Sequence, residues 1–284
     1  MKRKFVIGIG IGVALFALLL WLLIGKPFRP QKNHSLTTKP PMPHPSMPFS
    51  TTPPTTFTLP ITTPPPMTTI PPPPTPRELF PDYRVMGTLL EAVGDLPRGY
   101  VGQIRNGKGG VFYRIYAPNG EAIRVGWEQV SLSAPKALAL PAVDKQTIEA
   151  AANHFEFLSE TDYVVWTNLH RLETYVLQKS PSGWKLMKRM DCSAGDLSHP
   201  TPTGTYRAEA KHTAIGKAGE YTCPHALLFW GNYLYHSVPL SPTSGEPIDG
   251  RIGARVSNGC IRLREKDAEW LYQTVPLETT IHIQ

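Results

Sequence analysis

The alternation of hydrophobic and polar positions changes abruptly along this chain. Phe5 to Ile24 is an apolar run without a charge. Twenty helical residues at about 1.5 Å each span about 30 Å, the depth of one hydrocarbon core. From Pro27 to Pro81 the pattern stops, and proline and threonine interleave with few large apolar groups. After Asp82 short apolar runs return between turn residues. Val111–Tyr116 and Ala122–Trp127 flank Asn119-Gly120 and predict a tight hairpin. Behind Asp144, apolar residues recur at helical spacing and predict a helix over 144–157. Tyr163–Thr167, Leu172–Gln178 and Trp184–Met190 then alternate or run apolar between turns such as Pro181-Ser182-Gly183. Many short strands and few helical stretches predict a mainly β chain, with an all-β sandwich as its C-terminal part.

These shifts divide the 284 residues into four regions. Residues 1–26 read as a short tip and a membrane anchor. Lys2, Arg3 and Lys4 precede the apolar run, which favours a cytoplasmic N-terminus, although Lys26, Arg29 and Lys32 follow it. A cleaved signal peptide is the rival, but Ile24-Gly25-Lys26-Pro27 offers no small-residue cleavage site. Residues 27–81 hold 19 of the 31 prolines and read as a disordered, extended linker. Residues 82–134 read as a small curved β module, and 142–284 as the larger folded domain. The net charge of +7 suggests a nucleic-acid partner only until its distribution is considered. Residues 1–39 hold seven Lys/Arg and no acid; the remainder has 22 bases and 22 acids. No nucleic-acid groove is expected.

The chemistry gathers near the C-terminus. Ser257-Asn258-Gly259-Cys260-Ile261-Arg262 puts a thiol at a glycine turn, and Tyr235-His236-Ser237 puts an imidazole on a predicted strand. A free thiol is only a few per cent ionised near neutrality, so an adjacent histidine is a sensible activator. Cys260 is the candidate nucleophile and His236 the candidate general base, with His225 as a competitor. Gly259 lets the backbone approach a substrate, and its N–H is a candidate oxyanion donor. Arg262, two residues past the thiol, would face the same way on a strand. It would serve as an electrostatic or substrate-binding group, or as half of a structural ion pair. Ser257, Asn258, Ser237 and Tyr235 are candidate substrate contacts. Cys192 and Cys223 either form a disulfide or stay as two buried thiols. No metal-ligand spacing occurs, and no metal or organic cofactor is expected.

This constellation resembles the L,D-transpeptidase catalytic domain, the YkuD family, whose signature is a histidine followed, after a loop, by Ser/Thr-x-Gly-Cys-x-Arg. Cys192-Ser193-Ala194-Gly195 and Pro200-Thr201-Pro202-Thr203-Gly204-Thr205-Tyr206 are similar to the family's upstream segment. Asp267–Tyr272 and Thr279–Ile283 are similar to its closing helix and strand. The resemblance covers roughly Thr161 to Gln284. Asn258 stands where the family often has histidine, and the 20-residue loop 237–256 is longer than usual. Residues 82–134 loosely resemble SH3-like wall-associated modules.

The resemblance implies an extracytoplasmic, cysteine-dependent acyltransferase acting on peptidoglycan stem peptides. It would form 3→3 crosslinks through a Cys260 thioester with loss of terminal D-Ala, and carbapenems would acylate the same thiol. The alternatives are an L,D-carboxypeptidase, attachment of another amine acceptor, or a membrane-tethered wall-binding protein without catalysis.

Overall fold

The computed structural model describes residues 72–284. The expected anchor, and the Pro/Thr-rich segment up to residue 71, lie outside the described residues. No helix among the described residues is long and apolar enough to cross a membrane.

The linker expected through Pro81 ends earlier. A short helix α1, Pro76–Leu79, is capped by Thr75, whose side chain accepts from the Glu78 N–H while the Glu78 carboxylate accepts from the Thr75 N–H. This reciprocal capping box satisfies donors that a helix start leaves unpaired. Phe80 follows, 1% exposed, with its ring 4.6 Å from Trp166 and 5.9 Å from Tyr175. Arg171 Nε donates to Leu79 O at 2.9 Å and Gln284 Nε2 to Phe80 O. Burying an aromatic ring outweighs the ordering entropy that keeps proline–threonine chain extended. Phe80→Ala is therefore expected to lower unfolding free energy by about 3–5 kcal/mol, read from the urea midpoint. An unchanged midpoint would return residues 76–81 to the linker.

Five strands follow: β1 Met86–Leu89, β2 Val101–Lys108, β3 Phe112–Tyr116, β4 Ala122–Gly126 and β5 Val130–Ser133. They form one antiparallel sheet in the order β4-β3-β2-β1-β5. The predicted hairpin is β3–β4, with Tyr116 opposite Ala122. Alternation sends Ile104, Tyr113, Ile115 and Val125 into the core and leaves Gln103, Arg105, Arg114 and Tyr116 on the other face. This sheet is not a free-standing module. Tyr113 Oη donates to Ser198 O at 2.9 Å, Gly109 N to Ser198 O at 3.0 Å, and Gln103 Nε2 to Thr203 Oγ1 at 3.0 Å.

The helix α2, Lys145–His154, begins behind Asp144, whose carboxylate accepts from the Thr147 N–H at 2.8 Å. Nine strands and a closing helix then build the larger domain, with one further short strand. They are β6 Tyr163–Asn168, β7 Glu173–Ser180, β8 Gly183–Gly195, β9 Gly204–Arg207, β10 Ala210–Lys217 and β11 Tyr221–Trp230. After these come β12 Tyr233–Ser237, β13 Arg255–Ser257, β14 Ile261–Leu263, α3 Glu265–Thr274 and β15 Thr280–Ile283. The sheet runs β10-β11-β12-β14-β8-β7-β6-β15-β9, and β13 pairs with β8 off this path.

The sandwich expected from the strand pattern is made by one sheet path bent back on itself. Thr167 on β6 and Tyr235 on β12, four places apart in the order, share a hydrogen bond of 2.7 Å between hydroxyls. Tyr206 on β9 meets Phe229 on β11 with ring centroids 5.3 Å apart. The space between is filled by Val165, Val176, Leu227, Phe229, Ile261, Leu263 and Ile281, all buried.

Candidate active site

Two parallel neighbours carry the chemistry. β12 pairs with β14 so that Tyr235 lies opposite Ile261, His236 opposite Arg262, and Ser237 opposite Leu263. Tyr235, Ile261 and Leu263 go to the core, so alternation sends His236 and Arg262 together to the other face. Cys260 immediately precedes β14, two residues from Arg262, on the turn that leads into that strand.

Gly259 explains why this turn exists. Its φ of +104° is a region where residues with a side chain are strained, and a Cβ there would overlap the Tyr233 ring. Gly195, at the end of β8, is needed for closeness: an added Cβ would strike His199 O and the Gly259 Cα. Ser257 locks the loop from below. Its Oγ accepts from the Gly259 N–H at 3.1 Å and donates to Cys260 O at 2.6 Å. This corrects two expectations. The Gly259 N–H is already committed to Ser257, so it is not a waiting oxyanion donor. Ser257, 1% exposed, is a brace inside the turn and not a substrate contact. The Cys260 N–H makes no backbone–backbone hydrogen bond among the described residues.

His236 is held by its neighbour's backbone. Nδ1–H donates to Ser237 O at 2.6 Å, which fixes the tautomer and leaves Nε2 with its lone pair. Burial pushes the imidazole down to about 4; the Ser237 carbonyl opposes that, and the Arg262 charge adds to it. His236 is therefore neutral at pH 7. Burial also raises the Cys260 thiol, against the Leu234 backbone amide and the Arg262 charge. The thiol donates weakly to Asn232 O, at 3.7 Å. The resting pair is a neutral thiol and a neutral imidazole, with one guanidinium acting on both.

Arg262 is ion-paired. Its Nη1 donates to Asp249 Oδ2 at 2.9 Å, and its charge acts on Cys260, His236 and Cys223. Asp249 lies in the long loop 237–256 and also takes two bonds from Arg251, at 2.8 and 2.9 Å. Those bonds hold its carboxyl well below the usual range. The loop itself folds back, with Leu240 bridged to both Thr222 and Pro247.

Two other expectations are corrected by burial. Tyr235, 1% exposed, spends its hydroxyl on Thr167. Ser237, 0% exposed, donates to Val238 O at 2.9 Å. Neither reaches a substrate. Of the two readings open for Cys192 and Cys223, the structure has the two buried free thiols. They sit on β8 and β11, three strands apart in the sheet, or roughly 14 Å at ~4.8 Å per strand. A disulfide needs Cα atoms within about 7 Å. His225, on β11, packs its ring 5.6 Å from Tyr272 and plays no part at the thiol.

Asn258 and Cys260 open onto a cleft of about 860 Å³. One wall comes from the larger domain: Trp230, Tyr233 and His199, with the first two rings stacked 5.6 Å apart. The other wall is the small sheet, through Arg105, Asn106, Lys108 and Arg114. No sequence signal singled out these side chains. His199 follows the Cys192–Gly195 segment, and its Nδ1 lies 3.1 Å from Asp196 Oδ1.

A buried imidazole with a fixed tautomer thus shares its strand face with Arg262, and the thiol sits on the glycine turn two residues before that arginine. Residues 162–283 match the model of the YkuD family, the L,D-transpeptidase catalytic domain. YciB of Bacillus subtilis (strain 168), whose name assigns it provisionally to the L,D-transpeptidases, is 28% identical over 133 residues. That alignment covers 42% of this chain and 65% of the relative, so the likeness leaves about a third of that protein unmatched. Among solved structures, a fused Zn-dependent amidase/peptidase/peptidoglycan-binding protein from Clostridium acetobutylicum is 31% identical with a TM-score of 0.41. It is matched over 49% of this chain and 61% of its own. An L,D-transpeptidase from Mycobacterium smegmatis is 26% identical with a TM-score of 0.35, over 43% of this chain and 58% of its own.

Proposed function

We propose that this protein is a peptidoglycan L,D-transpeptidase that forms 3→3 crosslinks, anchored in the membrane by residues 5–24 with its catalytic domain outside. Cys260 passes its proton to His236 Nε2 as sulfur attacks the carbonyl of the third stem residue. The bond to the terminal D-Ala breaks, and His236 returns the proton to the departing amine. A thioester then joins the stem to Cys260. A side-chain amine of a second stem attacks that thioester, His236 takes its proton, and the sulfur leaves as thiol.

The observation that supports this reading best is the Nδ1–Ser237 carbonyl bond, which reserves Nε2 as a base on the face shared with Arg262. The SH3-like, wall-associated nature of residues 82–134 is part of the same proposal. Its test is muropeptide analysis of wall material incubated with the purified chain. New dimers whose donor lacks terminal D-Ala are expected. Trimmed monomers alone would make the site an L,D-carboxypeptidase, and unchanged material would leave a tethered wall-binding protein.

A further inference from the structure

The wall opposite Cys260 is cationic and has no counter-charge. Arg105, Lys108 and Arg114 line the cleft from the small sheet, and no aspartate or glutamate lines it. Among the described residues none of the three joins an ion pair. Arg114 also sits directly opposite Arg124 across β3 and β4, with both guanidinium groups over the Phe112 ring, at 4.9 and 4.3 Å. Like charges directly opposed on a strand pair destabilise it. A sheet that keeps such a pair without an acid beside it is arranged to receive an anion.

The wall is also tied to the larger domain. Arg105 lies 4.9 Å over the Trp230 ring, which stacks on Tyr233 and ties the two walls together. A stem peptide supplies the complement, a carboxylate for the arginines, which bind carboxylates in a planar, charge-assisted fork.

We infer that the small β-sheet is a substrate-recognition wall, in which Arg105, Lys108 and Arg114 bind a non-reacting carboxylate of the donor stem peptide. This rests on the transferase reading above and assigns a specificity role to a part of the chain outside the catalytic segment. It involves no covalent step.

The test compares two donor tetrapeptides on the purified full chain, one with its non-reacting carboxylates free and one with them amidated. Wild type is expected to prefer the free acid, with a preference that shrinks as salt rises. The triple variant Arg105→Gln/Lys108→Gln/Arg114→Gln should lose about tenfold or more in kcat/KM on the free acid, mainly through KM, because hydrogen bonds to charged groups are individually strong. On the amidated donor it should lose markedly less. Lys108→Gln, an exposed single change, should show the same discrimination on a smaller scale, and Arg114→Lys should keep part of the preference. Equal losses on both donors, or none on either, would overturn the recognition role and leave the catalytic reading standing. If wild type turns over neither donor, the transferase reading falls and this one with it.

Discussion

Cys260→Ala is expected to abolish acyl-enzyme formation: incubated with a carbapenem, wild type should gain one adduct by intact mass and the variant none. Stem-peptide turnover should fall on the order of 10⁴-fold or more, the scale expected when a nucleophile that acts as a unit with its base is deleted. The two remaining thiols are not substitutes. Burial pushes Cys192 up to about 12 and Cys223 to about 11, so neither supplies thiolate near neutral pH. Both are buried in the sheet, whereas Cys260 opens onto the cleft. An adduct that survives in Cys260→Ala would move the nucleophile elsewhere and dismantle the proposed site.

The second large effect concerns His236. His236→Ala should slow acylation by roughly 10²–10⁴-fold, the usual contribution of a positioned general base. The wild-type pH profile should distinguish this base from an ordinary exposed histidine. Because the imidazole titrates at about 4, its base form persists through mildly acidic conditions, and the single-turnover rate should fall only near pH 4. A midpoint near 6.5 would mean that His236 is not the titrating group. Stability follows the same group with a definite sign. The folded value lies below the unfolded value of about 6.5, so the unfolded chain binds the proton first as pH drops. The stabilisation is complete above about pH 6.5 and is lost between there and about pH 4, on the order of 3 kcal/mol in all. His170 and His282 are also depressed by burial, so the comparison that isolates His236 is wild type against His236→Gln across this window.

Much of this was legible from local pattern. The β3–β4 hairpin follows from Asn119-Gly120 between apolar runs, and the Asp144 cap from its position before a helical stripe. The thiol on its glycine turn was readable because only glycine tolerates the backbone of residue 259. Legibility ended where one local signal had two meanings. Ser257 and Ser237 flank the reactive groups as substrate contacts would, yet both face inward and brace the backbone. A period of two says that neighbours face opposite ways, but not which way faces the cleft. The linker boundary was missed because Phe80 sits among prolines, and its packing partners Trp166 and Tyr175 are far away in sequence.

By itself the sequence determined the strand-rich character of the chain, the cysteine–histidine pair, and the glycine that shapes its turn. Strand character and the glycine turn follow from residues within a few positions of one another, and the pair from a motif spanning 24 positions. Only the tertiary structure decided that the Ser237 carbonyl orients His236, that Asp249 holds Arg262, that Cys192 and Cys223 stay apart, and that a basic sheet from residues 101–116 faces the nucleophile. Those relations join segments separated by ten to more than a hundred residues, or depend on which face of a strand is buried. Side-chain alternation carries neither; sheet order, register and packing do.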